Sequence, residues 1–220
     1  MISEITQGQL AGLHLTGRPL VICDVDEVIV HFTRDFEDYI GLHGLWLDTS
    51  SFALNGNIRQ RETNAPAPDA QVAELIGSFF ETRTRHMQEI DGAVAALLAF
   101  GERADVVLLT NLPHTAGDHR RENLKSHGLP YPVVTNSGPK GPAIHALAAR
   151  AANTTVFIDD SPAFIASAHE FAPEVHLVHF LHDQRFARHI DPLDYVALRT
   201  DSWAEARPFV MSLISTMPGA

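Results

Sequence analysis

The chain has 220 residues, of which 45% are hydrophobic and 20% are charged, and its formal net charge is −11 at pH 7. A chain of this length and composition is expected to bury one sizeable hydrophobic core, with room for a small second lobe. Because the chain is acidic and has no concentrated basic segment, the sequence argues against a nucleic-acid duplex as a partner.

Signals for export and membrane insertion are not visible in the sequence. The N-terminal segment includes Glu4, His14 and Arg18 and has no continuous apolar run, so it does not resemble a secretory signal. The longest apolar stretch, residues 93–100, is too short to span a bilayer. We therefore expect a cytoplasmic protein with no membrane partner. The single cysteine, Cys23, lies in an apolar run, which predicts a buried and unreactive thiol without a disulfide partner.

Short runs of apolar and β-branched residues predict strands that are buried on both faces, as in a parallel sheet. The predicted strands are residues 20–25, 106–110, 133–134, 155–159, 175–181 and 195–198. Alanine-rich or amphipathic patterns predict helices, and these are residues 93–101, 115–127, 142–150, 162–171 and 205–213. Because strand and helix alternate from residue 93 to residue 181, we predict an α/β fold with a doubly wound parallel sheet.

One segment, residues 34–90, interrupts this alternation. It contains no apolar run of the kind that predicts a core strand, whereas residues 35–42 and 69–89 have helical patterns. The segment is too long for a single crossover helix. We therefore interpret it as a helical insertion that sits over the sheet.

Polar residues follow four of the predicted strands at the point where each strand ends or shortly beyond it. These residues are Asp24, Asp26, Thr110, Asn111, Lys140, Asp159 and Asp160. Ligands of open parallel sheets bind in the crevice beyond the carboxyl ends of the strands. The sequence therefore places the polar groups of four separate strands around one site.

The types of residue in this set suit phosphoryl transfer. A carboxylate can attack phosphorus and form an aspartyl phosphate, and a second carboxylate two residues further lies on the same side of an extended chain. That second group can protonate the leaving oxygen and then deprotonate water. A hydroxyl, an amide and a lysine can hold the phosphoryl oxygens. Because several carboxylates would repel a phosphate dianion, a cation is required, and Mg²⁺ prefers such oxygen ligands.

Each signal also has an ordinary structural explanation when it is taken alone. A lone Asp-x-Asp is usually a turn or a helix cap, and Thr110 is compatible with a simple strand end. Lys140 alone is compatible with a surface lysine, and Asp159-Asp160 with the N-cap of a helix. The order of the four signals, each after an apolar run, favours the common site.

These four motifs resemble those of the haloacid dehalogenase (HAD) superfamily of phosphatases and phosphotransferases. The matching stretches are Val21 to Val28, Val106 to Thr110, Gly138 to Gly141 and Phe157 to Asp160, and the resemblance spans residues 20 to about 185. The resemblance implies a Rossmann-like core formed by residues 1–33 and 91–220. It also implies that residues 34–90 form a small helical cap domain that closes over the site and selects the substrate.

The resemblance also implies a role for each residue. Asp24 would be the nucleophile and a Mg²⁺ ligand, and Asp26 would be the general acid/base and would bind Mg²⁺ through its backbone carbonyl. Thr110, Asn111 and Lys140 would hold the phosphoryl group. Asp159 and Asp160 would complete the metal site. The resemblance leaves open which of the two binds Mg²⁺ directly.

The expected activity is therefore Mg²⁺-dependent hydrolysis of a small phosphorylated metabolite. A phosphotransferase or phosphomutase on the same scaffold is the main alternative, and a loose similarity to deoxyribonucleotidases around Asp24 suggests nucleotide monophosphates as substrates. A binding protein that keeps the fold without catalysis is disfavoured by the intact acidic set. The sequence leaves the oligomeric state open.

Several further residues have open roles at this stage. Glu27 replaces a small residue that is common after the second aspartate, and it either narrows the entrance or is solvated. His114 follows the second motif and is a candidate for substrate contact. His176, His179 and His182 are expected to be ordinary histidines. Four arginines of the insertion either bind an anionic tail of the substrate or form a solvated face, and these are Arg59, Arg61, Arg83 and Arg85.

Overall fold

The computed structural model describes residues 2–152 and 154–215. Within these residues the strands are β1 Leu20–Cys23, β2 Leu45–Leu47, β3 Ile58–Gln60, β4 Asp105–Thr110, β5 Val133–Thr135, β6 Thr155–Asp159, β7 His176–Phe180 and β8 Leu198–Thr200. The helices are α1 Glu4–Ala11, α2 Phe32–Gly41, α3 Asp69–Arg83, α4 Ala93–Gly101, α5 Gly117–Ser126, α6 Gly141–Ala148, α7 Pro162–Phe171, α8 Gln184–Ala187 and α9 Trp203–Ile214.

Six of the strands form one parallel sheet in the order β5-β4-β1-β6-β7-β8. The chain builds the sheet outward from β1 on one side through β4 and β5, and then on the other side through β6, β7 and β8. The crevice at such a reversal lies beyond the carboxyl ends of the strands on either side of it. The predicted doubly wound α/β fold is confirmed, and β1, β4 and β6 lie side by side.

Both faces of the central strand are buried, which explains why its sequence is apolar without alternation. Val21 and Cys23 belong to one apolar cluster, whereas Leu20 and Ile22 belong to a second cluster on the opposite face. All four side chains are fully buried. Burial raises the pKa of the Cys23 thiol well above its ordinary value, so this cysteine has the inert character expected from the sequence.

Several elements differ from the predictions at their ends. The last strand covers Leu198–Thr200, downstream of the predicted residues 195–198. The helix α1 is not predicted, because its apolar residues do not form a clear stripe. It is capped by Ser3, whose hydroxyl accepts a hydrogen bond from the Thr6 N–H at 3.1 Å.

The segment 34–90 is less helical than predicted. It holds most of α2 and all of α3, but β2 and β3 form an antiparallel pair between them. Helix α2 begins at Phe32, before the predicted boundary, and the long pattern of residues 69–89 ends as an α-helix at Arg83. The assignment of this segment as a cap domain stays a prediction.

Aromatic packing joins the two helices of the segment. Phe32 and Phe36 of α2 meet Phe79 and Phe80 of α3, with ring centroids 5.1 to 5.7 Å apart. Phe36 and Phe79 also belong to the same apolar cluster as Val21 of the sheet. Among the described residues, no helix has both the length and the hydropathy that a bilayer crossing requires.

Candidate active site

The first site residue, Asp24, is placed by the sheet itself. Its backbone N–H donates to the Ile158 carbonyl oxygen at 2.8 Å, which continues the pairing of β1 with β6 by one residue. The loop then turns sharply, because the Val25 carbonyl oxygen accepts hydrogen bonds from the N–H groups of Ile29 and Val30. Asp24 is only 5% exposed, so its carboxylate faces a nearly dry environment at the edge of the sheet.

Lys140 lies between two of the predicted carboxylates. Its Nζ is 2.6 Å from Asp24 Oδ1 and 2.7 Å from Asp159 Oδ2, and the lysine is fully buried. The Phe164 ring centroid lies 4.8 Å from the same nitrogen. Burial acts to lower the pKa of Lys140, but the two carboxylates outweigh it and raise that pKa above its ordinary value. The ammonium therefore neutralises charge in a place from which water is excluded.

Glycines allow Lys140 to enter the site. Any side chain at Gly141 would collide with the Ser167 carbonyl oxygen of α7, so α6 can approach α7 only with glycine in its first turn. The Gly141 N–H also donates to Ser167 Oγ at 3.0 Å. Gly138 has a φ of +78°, a left-handed conformation that favours glycine, and its carbonyl oxygen accepts a hydrogen bond from Asn111. The close packing of α6 on α7 thus fixes the lysine.

Three carboxylates converge beside the lysine. Ligand oxygens of Asp24, Asp159 and Asp160 all lie within 4.8 Å of one another. Burial and mutual repulsion raise the pKa of Asp24 to about 7, despite the opposing effect of Lys140. Burial raises the pKa of Asp159 as well. The pKa of Asp160 is raised well above its ordinary value by burial and by the charges of Asp159 and Asp24.

This acidic set fits a divalent cation. Three hard carboxylate ligands are available within one cation's reach. Among the residues that the structure describes, none forms a well-aligned hydrogen bond with Asp24 Oδ1, although Lys140 is close to it. A Mg²⁺ ion held by Asp24, Asp159 and Asp160 would relieve the repulsion that raises their pKa values. The carboxylate of Asp26 is not part of this convergence, and the contact of its backbone carbonyl with Mg²⁺ that the resemblance implies stays a prediction.

Asp26 instead meets a buried arginine that sequence reasoning missed. Its Oδ1 forms an ion pair with the guanidinium of Arg120, which is fully buried, and its Oδ2 accepts a hydrogen bond from Thr110 Oγ1 at 3.3 Å. Arg120 also contacts Asn123 Oδ1 and Met87 Sδ, both at 3.3 Å. The predicted acid/base is therefore oriented from β4 and from α5 together.

Two of the predicted phosphate-binding residues, Thr110 and Asn111, differ in their burial and in their hydrogen-bond partners. Thr110 is fully buried at the end of β4 and bonds to Asp26. Asn111 borders the site cavity, but its amide is already engaged, because Nδ2 donates to the Gly138 carbonyl oxygen and Oδ1 accepts from Asn136. Its side chain therefore joins the loop after β4 to the loop before Lys140.

Glu27 holds an unusual backbone conformation with a φ of +59°, in the left-handed region that few residues other than glycine adopt. Its Oε2 accepts a hydrogen bond from the Thr33 N–H at 2.7 Å, so it satisfies one of the free donors in the first turn of α2. Burial raises the pKa of Glu27. The residue is buried and borders the cavity, so it is not the solvated group that one interpretation of the sequence suggested.

The histidines divide into structural and cavity residues. His114 bonds to Thr135 Oγ1 at 2.6 Å and lies 3.3 Å from Ser3 Oγ, away from the cavity lining, so it joins α1 to β5 and is not placed to contact substrate. His179 is fully buried and lies 3.0 Å from the Asp160 carbonyl oxygen, and burial lowers its pKa. His182 borders the cavity, and its Nδ1 lies 3.3 Å from the Asp201 carbonyl oxygen.

The arginines of the segment 34–90 do not border the cavity. Arg59 pairs with Asp48, Arg85 pairs with Glu122, and the guanidinium of Arg83 lies over the Tyr39 ring at 5.7 Å. The suggestion that these arginines bind an anionic tail of the substrate is therefore wrong for this structure.

A cavity of about 320 Å³ lies directly over the acidic residues. Asp24, Asp26, Asn111 and Asp160 form part of its wall. The segment 34–90 supplies apolar side chains to the same cavity, namely Leu47, Phe52, Ala53, Leu54, Ile76 and Phe80. The insertion thus covers the edge of the sheet at which the polar residues converge.

Known structures share this arrangement of elements, although no protein-family model and no curated protein sequence matches the chain. A HAD family hydrolase from Deinococcus radiodurans, with bound phosphate and sodium, is 18% identical with a TM-score of 0.60, covering 92% of this chain and 99% of that one. The Bacillus subtilis protein YfnB, described as a HAD-hydrolase bound to magnesium, is 15% identical with a TM-score of 0.61, covering 90% and 99%.

A protein from Bacteroides vulgatus described as a β-phosphoglucomutase is 14% identical with a TM-score of 0.54, covering 97% of this chain and 98% of that one. The molecule is thus a doubly wound α/β protein with an acidic site at the carboxyl edge of its sheet. Its fold is that of the haloacid dehalogenase superfamily, as the four motifs predict. Because proteins described as dehalogenases share this fold, the activity must be argued from the site residues.

The raised pKa of Asp24 predicts how pH changes metal binding. Between about pH 4 and pH 7 the folded metal-free protein keeps a proton that the unfolded chain has lost, so its stability falls as the pH rises through this window. Mg²⁺ competes with that proton, so each pH unit below about 7 should weaken its binding by up to about tenfold. Thermal unfolding with and without Mg²⁺ should show a larger stabilisation at about pH 8 than at about pH 5.5.

Two substitutions make this measurement specific. Asp160→Asn should reduce the Mg²⁺-dependent shift, whereas Asp191→Asn, at an exposed position outside the cluster, should leave it intact. An equal Mg²⁺ effect at both pH values, or in both variants, would show that the cation binds elsewhere.

Proposed function

We propose that the protein is a Mg²⁺-dependent phosphohydrolase that cleaves a small phosphomonoester through an aspartyl phosphate on Asp24. The observation that carries the proposal is the convergence of Asp24, Lys140, Asp159 and Asp160 beneath a cavity, with Asp26 two residues beyond the nucleophile. Transfer of a phosphoryl group needs a carboxylate nucleophile and positive charge around the phosphate dianion. Here Asp24 supplies the carboxylate, Lys140 supplies a fixed ammonium, and the acidic residues supply a site for a metal ion.

In the first step a carboxylate oxygen of Asp24 forms a bond to phosphorus and the ester P–O bond breaks. Asp26 gives its proton to the leaving oxygen, which departs as an alcohol. Lys140, 2.6 Å from Asp24 Oδ1, stabilises the charge on the nucleophile and on the phosphoryl oxygens nearby. Bound Mg²⁺ supplies the remaining positive charge that lets the dianion approach several carboxylates.

In the second step Asp26 takes a proton from a water molecule, whose oxygen attacks phosphorus. The bond between phosphorus and Asp24 breaks, which releases inorganic phosphate and restores both carboxyl groups for the next cycle. We further propose that residues 34–90 act as the cap that limits access of bulk water during the reaction.

The alternatives differ in the group that accepts the phosphoryl. In a phosphotransferase or phosphomutase a substrate hydroxyl takes the place of water in the second step. A nucleotidase-like activity keeps water but uses (deoxy)nucleotide monophosphates. A dehalogenase is disfavoured, because the second aspartate of the motif has no function in that chemistry.

Release of inorganic phosphate from a panel of phosphomonoesters, with and without Mg²⁺, tests the proposal. We expect release that requires Mg²⁺ and disappears in Asp24→Asn, with Asp191→Asn as the matched exposed control. Phosphate that appears on an added alcohol would favour the transferase. Equal release by the wild-type protein and Asp24→Asn would rule out the aspartyl phosphate.

A further inference from the structure

The cavity over Asp24 has a charge pattern that restricts the substrate. Among the described residues that border it, none is a lysine or an arginine. Glu27 and Asp183 border it instead, and their carboxylates already bond to the Thr33 N–H and to Arg185. An anionic group on the far side of the substrate would meet Glu27 and Asp183, of which Asp183 is already paired with Arg185, and no lysine or arginine of the wall, so the structure disfavours a second phosphate or a carboxylate.

The rest of the wall is mainly apolar. Besides the six apolar side chains of the segment 34–90, the core contributes Phe32, Phe164, Leu181 and Phe186. Phe52 and Phe186, which both border the cavity, contact each other with ring centroids 5.6 Å apart. Thr33, Ser161 and His182 also border the cavity, but apolar side chains form most of its wall, so alkyl or aryl groups would gain more from burial there than the hydroxyl groups of a sugar.

We propose that the substrate is a phosphomonoester whose organic group is uncharged and apolar, an alkyl or aryl phosphate, with the organic group seated in this cavity. This inference rests on the proposed function for the placement of the phosphoryl group at Asp24. It replaces the nucleotide monophosphates that the sequence suggested, since their bases and sugars require polar partners.

Calorimetric titration of Asp24→Asn in the presence of Mg²⁺ tests the binding preference without turnover. The probes are primary alkyl phosphates of increasing length, compared with glycerol 3-phosphate and a nucleoside monophosphate. We expect the dissociation constant to fall about threefold to fourfold for each added CH₂ until the cavity is filled, with a negative heat-capacity change. Affinity that does not depend on chain length, or that is highest for the nucleotide, would overturn the inference.

The variant Ile76→Arg introduces a cation into the cavity wall, and Leu98→Arg is its control, because Leu98 is 43% exposed on α4 and does not border the cavity. We expect Ile76→Arg to lose the dependence on chain length, whereas Leu98→Arg keeps it. Thermal unfolding of each variant establishes that both are folded. Loss of the dependence in Leu98→Arg alone would place the apolar site elsewhere and overturn the inference.

Hydrolysis of the same esters by the wild-type protein separates the two proposals. If binding follows chain length but no ester is hydrolysed, the proposed function fails and the apolar site stands. If all esters are hydrolysed and bound alike, the proposed function stands and the inference about the substrate fails.

Discussion

Replacement of Lys140 with methionine is expected to destabilise the protein by about 3–5 kcal/mol and to abolish phosphate release. The lysine is fully buried and pairs with Asp24 at 2.6 Å and with Asp159 at 2.7 Å. Methionine fills much of the same volume but leaves two buried carboxylates without their cation. Chemical denaturation in the absence of Mg²⁺ measures the free energy of unfolding, and the phosphate assay measures the activity.

The only other lysine of the chain gives a matched control. Lys125 is exposed at the end of α5, so Lys125→Met should change stability by less than about 0.5 kcal/mol and leave activity unchanged. Adding Asp159→Asn to Lys140→Met should recover part of the stability, because it removes one unpaired charge, but no activity. If Lys140→Met were as stable and active as Lys125→Met, the ion pairs of Lys140 with Asp24 and Asp159 would contribute neither to the stability nor to the activity.

The fold could be predicted because its central strands have a sequence pattern that can be recognised locally. The central strands are buried on both faces, so stretches such as Leu20–Cys23 are continuously apolar, and this property depends on little beyond the local sequence. The strands Leu45–Leu47 and Ile58–Gln60 were not predicted, because a three-residue strand is too short to show alternation.

The polar set at the strand ends could be found in the same way, since parallel strands bring their carboxyl ends to one edge. Arg120 could not be distinguished from its neighbour Arg121 by residue type. The one available signal is helical spacing, because Arg120 lies one turn before Leu124, which is buried on the same face of α5. The cavity wall could not be predicted, because segments far apart in sequence form it and only the packed fold brings them together.

Replacement of Arg120 with methionine is expected to lower kcat about 10-fold to 100-fold, because Asp26 then loses the group that fixes its orientation. The guanidinium is fully buried and pairs with Asp26 Oδ1, while Thr110 Oγ1 holds the other oxygen at 3.3 Å. Arg121→Met is the control on the same helix, since Arg121 is exposed and pairs with the exposed Asp118. It should retain the wild-type kcat and stability.

A purely structural function for Arg120 would lower stability without changing which step is slow. If Arg120 positions the acid/base, an aryl phosphate with a good leaving group should still transfer its phosphoryl to Asp24, since that leaving group needs little protonation. Attack by water would remain slow, so Arg120→Met should show a burst of phenol and an accumulated aspartyl phosphate, and Arg120→Lys should recover part of the steady-state rate. A folded Arg120→Met variant with wild-type kcat and no burst would show that Asp26 acts without the arginine.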